Sequence, residues 1–93
     1  QIKEIIIKPG KKQSLQRHKN RSEYWQMISG TGLVYLEESK FKLEANDNIF
    51  IPKGDLHRLE NIGHNNLILV EIQIGDKILE EDIERLEDDF GRI

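Results

Sequence analysis

Turn-forming residues interrupt this chain at nearly regular intervals, and this rhythm limits the folds that it can adopt. Proline, glycine and asparagine cluster at residues 9–10, 30–32, 46–48 and 52–54, and another glycine stands at 75. The segments between these breaks are short and rich in aliphatic and aromatic residues, which favour strands. Residues 40–44 alternate polar and apolar side chains, as expected of a half-buried strand. Seven or eight such segments predict an all-β sandwich or barrel.

The last part of the chain has a different period. Leu79, Ile83, Leu86 and Phe90 are spaced as i, i+4, i+7 and i+11. Side chains at this spacing share one face of a helix. We therefore expect one short C-terminal helix after the strands.

Length and composition exclude several classes of protein. A chain of 93 residues is the size of one small domain, so we expect residues 1–93 to form a single unit. Because the chain opens on Gln1, we expect it to be a piece of a longer protein. It has no cysteine, a net charge of −3 and no apolar run near the ~20 residues that cross a bilayer. We expect a cytoplasmic protein with neither nucleic-acid nor membrane partners.

Four polar residues stand out against the apolar strands. Gln16 and His18 are two apart and share one face of a strand, Glu23 begins the next strand, and His57 comes from a separate strand. A lone histidine on a strand is usually structural, but two in one ordered pattern favour a metal site. Two imidazoles, a carboxylate and an amide oxygen suit a divalent metal with open positions: zinc first, with manganese, iron, cobalt or nickel as alternatives. His64 lies in a predicted loop, and we expect it to be exposed.

The spacing of these residues resembles two sequence motifs of the cupin family. Residues 10–30, with Gln16, His18 and Glu23, resemble the first motif, in which glutamine here replaces the first histidine. Residues 46–61, with His57, resemble the second motif. Membership would imply a double-stranded β-helix, the jelly-roll barrel of cupins, with these four residues as metal ligands.

Longer segments are similar to the type II mannose-6-phosphate isomerase family. The similar segments are Leu15-Gln16-Arg17-His18, Arg21-Ser22-Glu23-Tyr24-Trp25, Ser29-Gly30-Thr31-Gly32, Ile51-Pro52-Lys53-Gly54, His57-Arg58-Leu59-Glu60-Asn61 and residues 81–92. Members commonly form the C-terminal domain of a bifunctional mannose-1-phosphate guanylyltransferase. The resemblance implies metal-dependent interconversion of mannose 6-phosphate and fructose 6-phosphate within GDP-mannose and polysaccharide biosynthesis. Lys19 and Asn20 depart from the family, which often has histidines there.

The same resemblance suggests roles for four further residues. Isomerisation moves a proton between C1 and C2, and Glu60 is the candidate base. Residues 57 and 60 of a regular strand face opposite sides, so this role requires a bulge after His57. Arg58 is a second candidate catalytic residue, and Arg21 and Lys53 are candidates for binding the substrate phosphate.

Two other functional classes stay open at this point. One is a non-catalytic cupin that binds metal or sugar or holds a dimer together. The other is a related nucleotide-sugar isomerase or epimerase. In each case we expect a homodimer, because pairing through residues 2–7 would cover an isoleucine-rich edge strand.

Overall fold

The protein consists of two antiparallel sheets in a computed structural model, which describes residues 1–75 and 84–87. The described residues form nine strands and no helix. Their bounds are β1 Ile2–Ile7, β2 Leu15–Arg17, β3 Ser22–Ser29, β4 Gly32–Leu36, β5 Ser39–Leu43, β6 Asn48–Ile51, β7 His57–Asn61, β8 Leu67–Ile74 and β9 Glu84–Glu87. The all-β expectation is confirmed. A membrane-crossing helix is therefore also missing from this part of the chain.

Strands distant in sequence are neighbours in both sheets. Sheet one has the order β1-β8-β3-β6, and sheet two has the order β5-β4-β7-β2-β9. The first strand pairs with the eighth along its whole length, from Ile2 opposite Ile72 to Ile7 opposite Leu67. β1 is an edge strand of sheet one, as the sequence predicts. Because strands that are distant in sequence are neighbours, the ends of β3, β7 and β8 lie together.

One half of the space between the sheets is filled by apolar side chains. Trp25 and Met27 of β3, Leu59 of β7, and Leu67 and Leu69 of β8 are all fully buried. Each strand contributes alternate residues to this core, because successive side chains of a strand point to opposite faces. This packed core therefore fixes the positions of the parts of these strands that extend beyond it.

The other half of the interior is polar. Glu23 is two residues before Trp25 on β3, so both side chains point inward. In the same way His57 is two residues before Leu59 on β7, and both point inward. On β8 the same alternation continues from Leu69 to Glu71 and Gln73. These polar side chains are buried as completely as the core, so each requires a hydrogen-bond or ion partner.

The predicted C-terminal helix is wrong where the structure describes it. Residues Glu84–Glu87, which include Leu86, form strand β9 and pair with β2. β2 is only three residues long and has β7 on its other side, so β9 satisfies the backbone groups of a free edge. In this segment the backbone pairs with β2 as a strand, although the spacing of its apolar residues is that of a helix. The other three positions of the predicted stripe, 79, 83 and 90, lie outside the described residues.

Gly30, between β3 and β4, fills a position that no other residue fits. Its φ is +91°, and a Cβ atom there would lie 2.8 Å from the Cα of Leu67. Gly10 has a similar φ of +77° but open space around it. We expect Gly10→Ala to cost about 1–2 kcal/mol for its backbone conformation. Gly30→Ala should cost about 1–3 kcal/mol more for overpacking, which urea unfolding of the two variants will measure. Equal losses would contradict the close approach of Leu67.

Candidate metal centre

Three side chains of ligand type meet in the polar half of the barrel. His18 follows β2, Glu23 lies on β3, and His57 begins β7. His18 Nε2 is 3.1 Å from Glu23 Oε2, and His57 Nε2 is 3.7 Å from Glu23 Oε1. One ligand atom from each residue lies within 4.8 Å of the others, and all three residues are buried. The cluster thus brings together Glu23 of sheet one, His57 of sheet two and His18, which follows β2.

The ring of His57 is held with its lone pair toward this point. Its Nδ1 is 3.0 Å from the carbonyl oxygen of Asp55, so Nδ1 carries the proton and donates it. Burial lowers the pKa of His57, although the charge of Glu23 opposes this effect. In the neutral ring, Nε2 is then an unprotonated nitrogen facing a carboxylate. This is the form in which histidine binds a metal.

Glu23 is ionised and firmly positioned. Trp25 Nε1 donates to its Oε1 at 3.0 Å, and Arg21 Nε donates to its Oε2 at 3.1 Å. Burial by itself would raise the pKa of Glu23, but the hydrogen bond with His18 and the charges of His57 and His18 lower it to about 2. The group is therefore a carboxylate at neutral pH.

The surroundings of His18 favour a cation between these groups. Its Nε2 lies 3.3 Å from Arg21 Nη2, which can only donate, and 3.1 Å from Glu23 Oε2, which can only accept. One ring nitrogen cannot serve both partners at once. A divalent cation shared by His18, Glu23 and His57 would be bound by the lone pairs of all three, so these residues fit a metal.

The pairing of β2 with β7 places Gln16 beside His57. It lies directly opposite His57 in the β2–β7 ladder, and directly opposed residues share a face of the sheet. Its amide nitrogen donates to Ser14 Oγ at 2.9 Å and to the Ser14 carbonyl oxygen at 3.3 Å. The amide oxygen is thereby left as the end of the side chain that can bind a cation.

Sequence reasoning missed a second buried carboxyl group, Glu71. Gln73 donates to Glu71 Oε2 at 2.6 Å and accepts from Arg21 Nη1 at 3.2 Å. Burial raises the pKa of Glu71, and the nearby charge of Glu23 raises it further. The signal was present in the sequence, because Glu71 and Gln73 continue the inward alternation of Leu67 and Leu69. The isoleucines at 68, 72 and 74 instead led to the interpretation of this segment as an apolar strand.

The two predicted catalytic residues, Glu60 and Arg58, lie on the outer face of β7. The pairing of β7 with β4 is regular from His57 to Asn61, so the bulge needed to turn Glu60 inward does not occur. Glu60 accepts a hydrogen bond from Tyr35 on the outer face at 3.1 Å. Arg58 shares this outer face, and its Nε donates to the Gln13 carbonyl oxygen at 2.9 Å. The structure therefore does not bring Glu60 or Arg58 to the three-ligand cluster.

The two predicted phosphate-binding residues are placed differently from each other. Arg21 is buried and bonded to Glu23 and Gln73, beside the cluster. Lys53 is exposed in the turn after β6. The next residue, Gly54, donates its backbone N–H to the His18 carbonyl oxygen at 2.8 Å, which holds this turn at the edge of the cluster. His64 is exposed, as predicted.

We expect the cluster to make the metal-free protein sensitive to acid. His57 has a pKa lowered from 6.5, so its contribution to stability is present above 6.5 and is lost as the pH falls below it. Glu23, lowered from 4.5 to about 2, adds a second loss between these values. Glu71 acts in the opposite sense, because its raised pKa gives stability that is lost as the pH rises above 4.5.

We therefore expect the urea midpoint of the metal-free protein to depend on His57 as the pH falls below 6.5. The parent should lose more stability over this range than a His57→Gln variant, whose side chain does not titrate. His64→Gln, at an exposed position, should behave as the parent does. Parallel profiles for the parent and His57→Gln would contradict the buried neutral histidine.

The fold and the site together define a cupin, a double-stranded β-helix whose polar end carries side chains of the kinds that bind metals. The cupin domain of Schizosaccharomyces pombe Cnp3 superposes with a TM-score of 0.78 at 16% identity, over 81% of this chain and 55% of that one. Oxalate decarboxylase of Bacillus subtilis superposes with a TM-score of 0.80 at 27% identity, over 91% of this chain and 23% of that one. The predicted cupin fold is confirmed.

Within the cupins, the chain belongs to the family described as mannose-6-phosphate isomerase C-terminal, whose model matches residues 1–88. It is 45% identical over 92 residues to the alginate biosynthesis protein AlgA of Pseudomonas aeruginosa, covering 99% of this chain and 19% of AlgA. It is 40% identical over 93 residues to the mannose-1-phosphate guanylyltransferase ManC of Salmonella typhimurium, covering 100% of this chain and 19% of ManC. The chain thus spans about a fifth of the length of these relatives.

Proposed function

We propose that this chain is a metal-dependent isomerase domain that interconverts mannose 6-phosphate and fructose 6-phosphate. The observation that carries the proposal is the convergence of His18, Glu23 and His57 in a chain of the mannose-6-phosphate isomerase C-terminal family. Relatives named for alginate synthesis and for mannose-1-phosphate guanylyl transfer support a place in the supply of GDP-mannose for polysaccharides.

The metal would be held by His18, Glu23 and His57, with the amide oxygen of Gln16 as the fourth ligand. A divalent metal supplies Lewis acidity toward the oxygens on C1 and C2, where negative charge develops during an aldose–ketose isomerisation. The ligand set suits zinc. The structurally similar oxalate decarboxylase has Mn(II) centres, which supports manganese as the second metal to test.

The two basic residues near the cluster, Arg21 and Lys53, have separate roles in this proposal. Arg21 is already engaged by Glu23 and Gln73, so it holds the ligand carboxylate in place rather than reaching outward. Lys53 is exposed at the edge of the cluster, where its ammonium can meet the phosphate of a sugar bound there. Lys53 is therefore the phosphate-binding residue that we retain.

A proton must also move between C1 and C2. Among the described residues, the buried acidic side chains are Glu23 and Glu71, and Glu23 is committed to the ligand cluster. Glu71 lies on the inner face of β8 in the same polar half, whereas Glu60 lies on an outer face. We therefore assign the proton-carrying role to Glu71 instead of Glu60.

The purified 93-residue chain provides the direct test. After reconstitution with zinc or manganese, metal analysis should give one ion per chain. A coupled assay should then detect fructose 6-phosphate from mannose 6-phosphate, and chelation should abolish it. Metal binding without turnover would move the function to a non-catalytic binding module. Turnover of a nucleotide sugar instead would favour the isomerase or epimerase alternative.

A further inference from the structure

Gln73 is a buried glutamine whose side chain lies between a basic and an acidic residue of the polar half. It is directly opposite Glu23 in the β3–β8 ladder, so the two side chains share the inner face of sheet one. It is only 3% exposed. Its amide oxygen accepts a hydrogen bond from Arg21 Nη1 at 3.2 Å, and its amide nitrogen donates one to Glu71 Oε2 at 2.6 Å. Both ends of the amide are therefore bonded inside the protein.

The direction of this amide is fixed by its neighbours. A guanidinium has five N–H donors and no acceptor, so the end of Gln73 that faces Arg21 must be the oxygen. The nitrogen then faces Glu71, whose oxygen accepts. A reversed amide would place N–H groups against the N–H groups of Arg21. Gln73 is thus an acceptor placed for one side of the Arg21 guanidinium.

Arg21 lies close to the atoms that would bind a cation. Its Nε and Nη2 are 3.1 Å and 3.0 Å from Glu23 Oε2, and Nη2 is also 3.3 Å from His18 Nε2. The guanidinium therefore supports the ligand carboxylate, but it also competes with a cation for the same lone pairs. Gln73 bonds to Nη1, the remaining nitrogen of the guanidinium, and so limits how far this group can turn toward His18.

We infer that Gln73 is a positioning residue of the candidate metal centre, which holds Arg21 beside Glu23 and keeps the guanidinium out of the position of the cation. The inference rests on the proposed function, because it takes the cluster to be a metal site. A buried guanidinium that lost the Gln73 oxygen would turn toward the other acceptors beside it, Glu23 and His18. A cation would then have to displace Arg21 before it could bind.

The main chain of Arg21 is fixed by contacts that do not involve the Gln73 side chain. Ser22 pairs with Ile74 in the β3–β8 ladder. Gly75 lies so close that an added Cβ atom would be 3.0 Å from the Cα of Arg21. Substitution of the Gln73 side chain should therefore leave this backbone in place and change the guanidinium alone.

The test is metal affinity, measured for zinc and for manganese by competition against a chromophoric chelator. Gln73→Met replaces the amide with an apolar side chain of similar length and changes no charge. We expect it to bind either metal about 10–100-fold more weakly than the parent, the cost typical of an outer-shell partner. The matched control is Gln26→Met, because the Gln26 amide also donates, to the Asn46 carbonyl oxygen at 3.2 Å, but lies on the outer face of sheet one. It should bind metal as the parent does.

A double variant shows whether Gln73 acts through Arg21. Arg21→Met removes the guanidinium, so adding Gln73→Met to it should change metal affinity by less than about threefold. If Gln73→Met costs as much in that background as in the parent, Gln73 acts independently of Arg21 and the inference fails.

Gln73→Glu replaces the double variant if circular dichroism shows that Arg21→Met does not fold. The substituted side chain still has an oxygen that accepts from Arg21, so metal affinity should be at least that of the parent. A loss as large as that of Gln73→Met would contradict the role of the Gln73 oxygen.

The outcomes separate this inference from the proposed function. Parental affinity in Gln73→Met would overturn the positioning role and leave the metal site intact. Loss of affinity in Gln73→Met supports the role even if the loaded chain does not turn over mannose 6-phosphate, a result that would overturn only the proposed reaction. A parent that binds neither metal would overturn both.

Discussion

Replacing His57 with alanine is expected to abolish tight binding of zinc or manganese and, with it, isomerase activity. The variant removes a nitrogen whose lone pair is aimed at the cluster by the hydrogen bond from Nδ1 to Asp55. Loss of an outer-shell partner commonly costs 10–100-fold in metal affinity, so loss of a ligand should cost at least about 100-fold. Competition against a chromophoric chelator measures the affinity, and the coupled assay measures activity on the same samples.

The control for this experiment is His64→Ala, because His64 is an exposed histidine outside the cluster. It should bind metal as the parent does. If His57→Ala also binds metal with parental affinity while remaining folded, His57 is not a ligand and the assignment fails. His18→Ala should reproduce the loss, since both imidazoles face the same carboxylate.

The second large effect is expected from Glu71→Gln. The variant keeps the size of the side chain and removes its ability to take up and release a proton. If Glu71 carries the proton between C1 and C2, kcat should fall by about 10²–10⁴-fold. Metal affinity should change much less than in His57→Ala, because Glu71 is not among the proposed ligands. Steady-state kinetics on metal-loaded protein gives the first quantity, and chelator competition gives the second.

Glu60→Gln separates the two candidate bases. Glu60 bonds to Tyr35 on the outer face of sheet two, so its substitution should leave kcat near the parental value. A large loss in Glu60→Gln with full activity in Glu71→Gln would return the role to Glu60. A loss in Glu71→Gln that accompanies a loss of bound metal would instead make Glu71 a support for the cluster.

Much of this arrangement can be predicted from the sequence, because strands impose a simple alternation. The turn residues delimit the strands, and the two-residue step from Gln16 to His18 puts both on one face. The same rule already warned that Glu60 faces away from His57, and the regular β7 ladder shows that the rule holds. The error there came from expecting a bulge that the backbone does not make.

The parts that could not be predicted depend on contacts between distant segments. Nothing within residues 79–90 reveals that β2 leaves an edge for β9 to fill, so the helical spacing was misleading. Arg21 was expected to bind phosphate because a fixed cation suits a phosphate group. Its burial depends on Gln73, which is 52 residues away in the chain. Such partners become visible only once the strands are paired.

The pairing of β1 with β8 has a consequence for how the chain folds during synthesis. Ile2 must wait for Ile72, because β8 is the single neighbour of β1 in sheet one. β3 can pair with β6 earlier, but it also gains its second neighbour only when β8 emerges. At about 5–20 residues per second, β1 therefore spends several seconds outside the ribosome as an unpaired, isoleucine-rich segment. Contacts this distant in sequence also give slow folding, because the long loop must close before its contacts can stabilise it. We expect the nascent chain to depend on holdase chaperones until β8 emerges, and the cluster of His18, Glu23 and His57 to assemble only after synthesis of this region is complete.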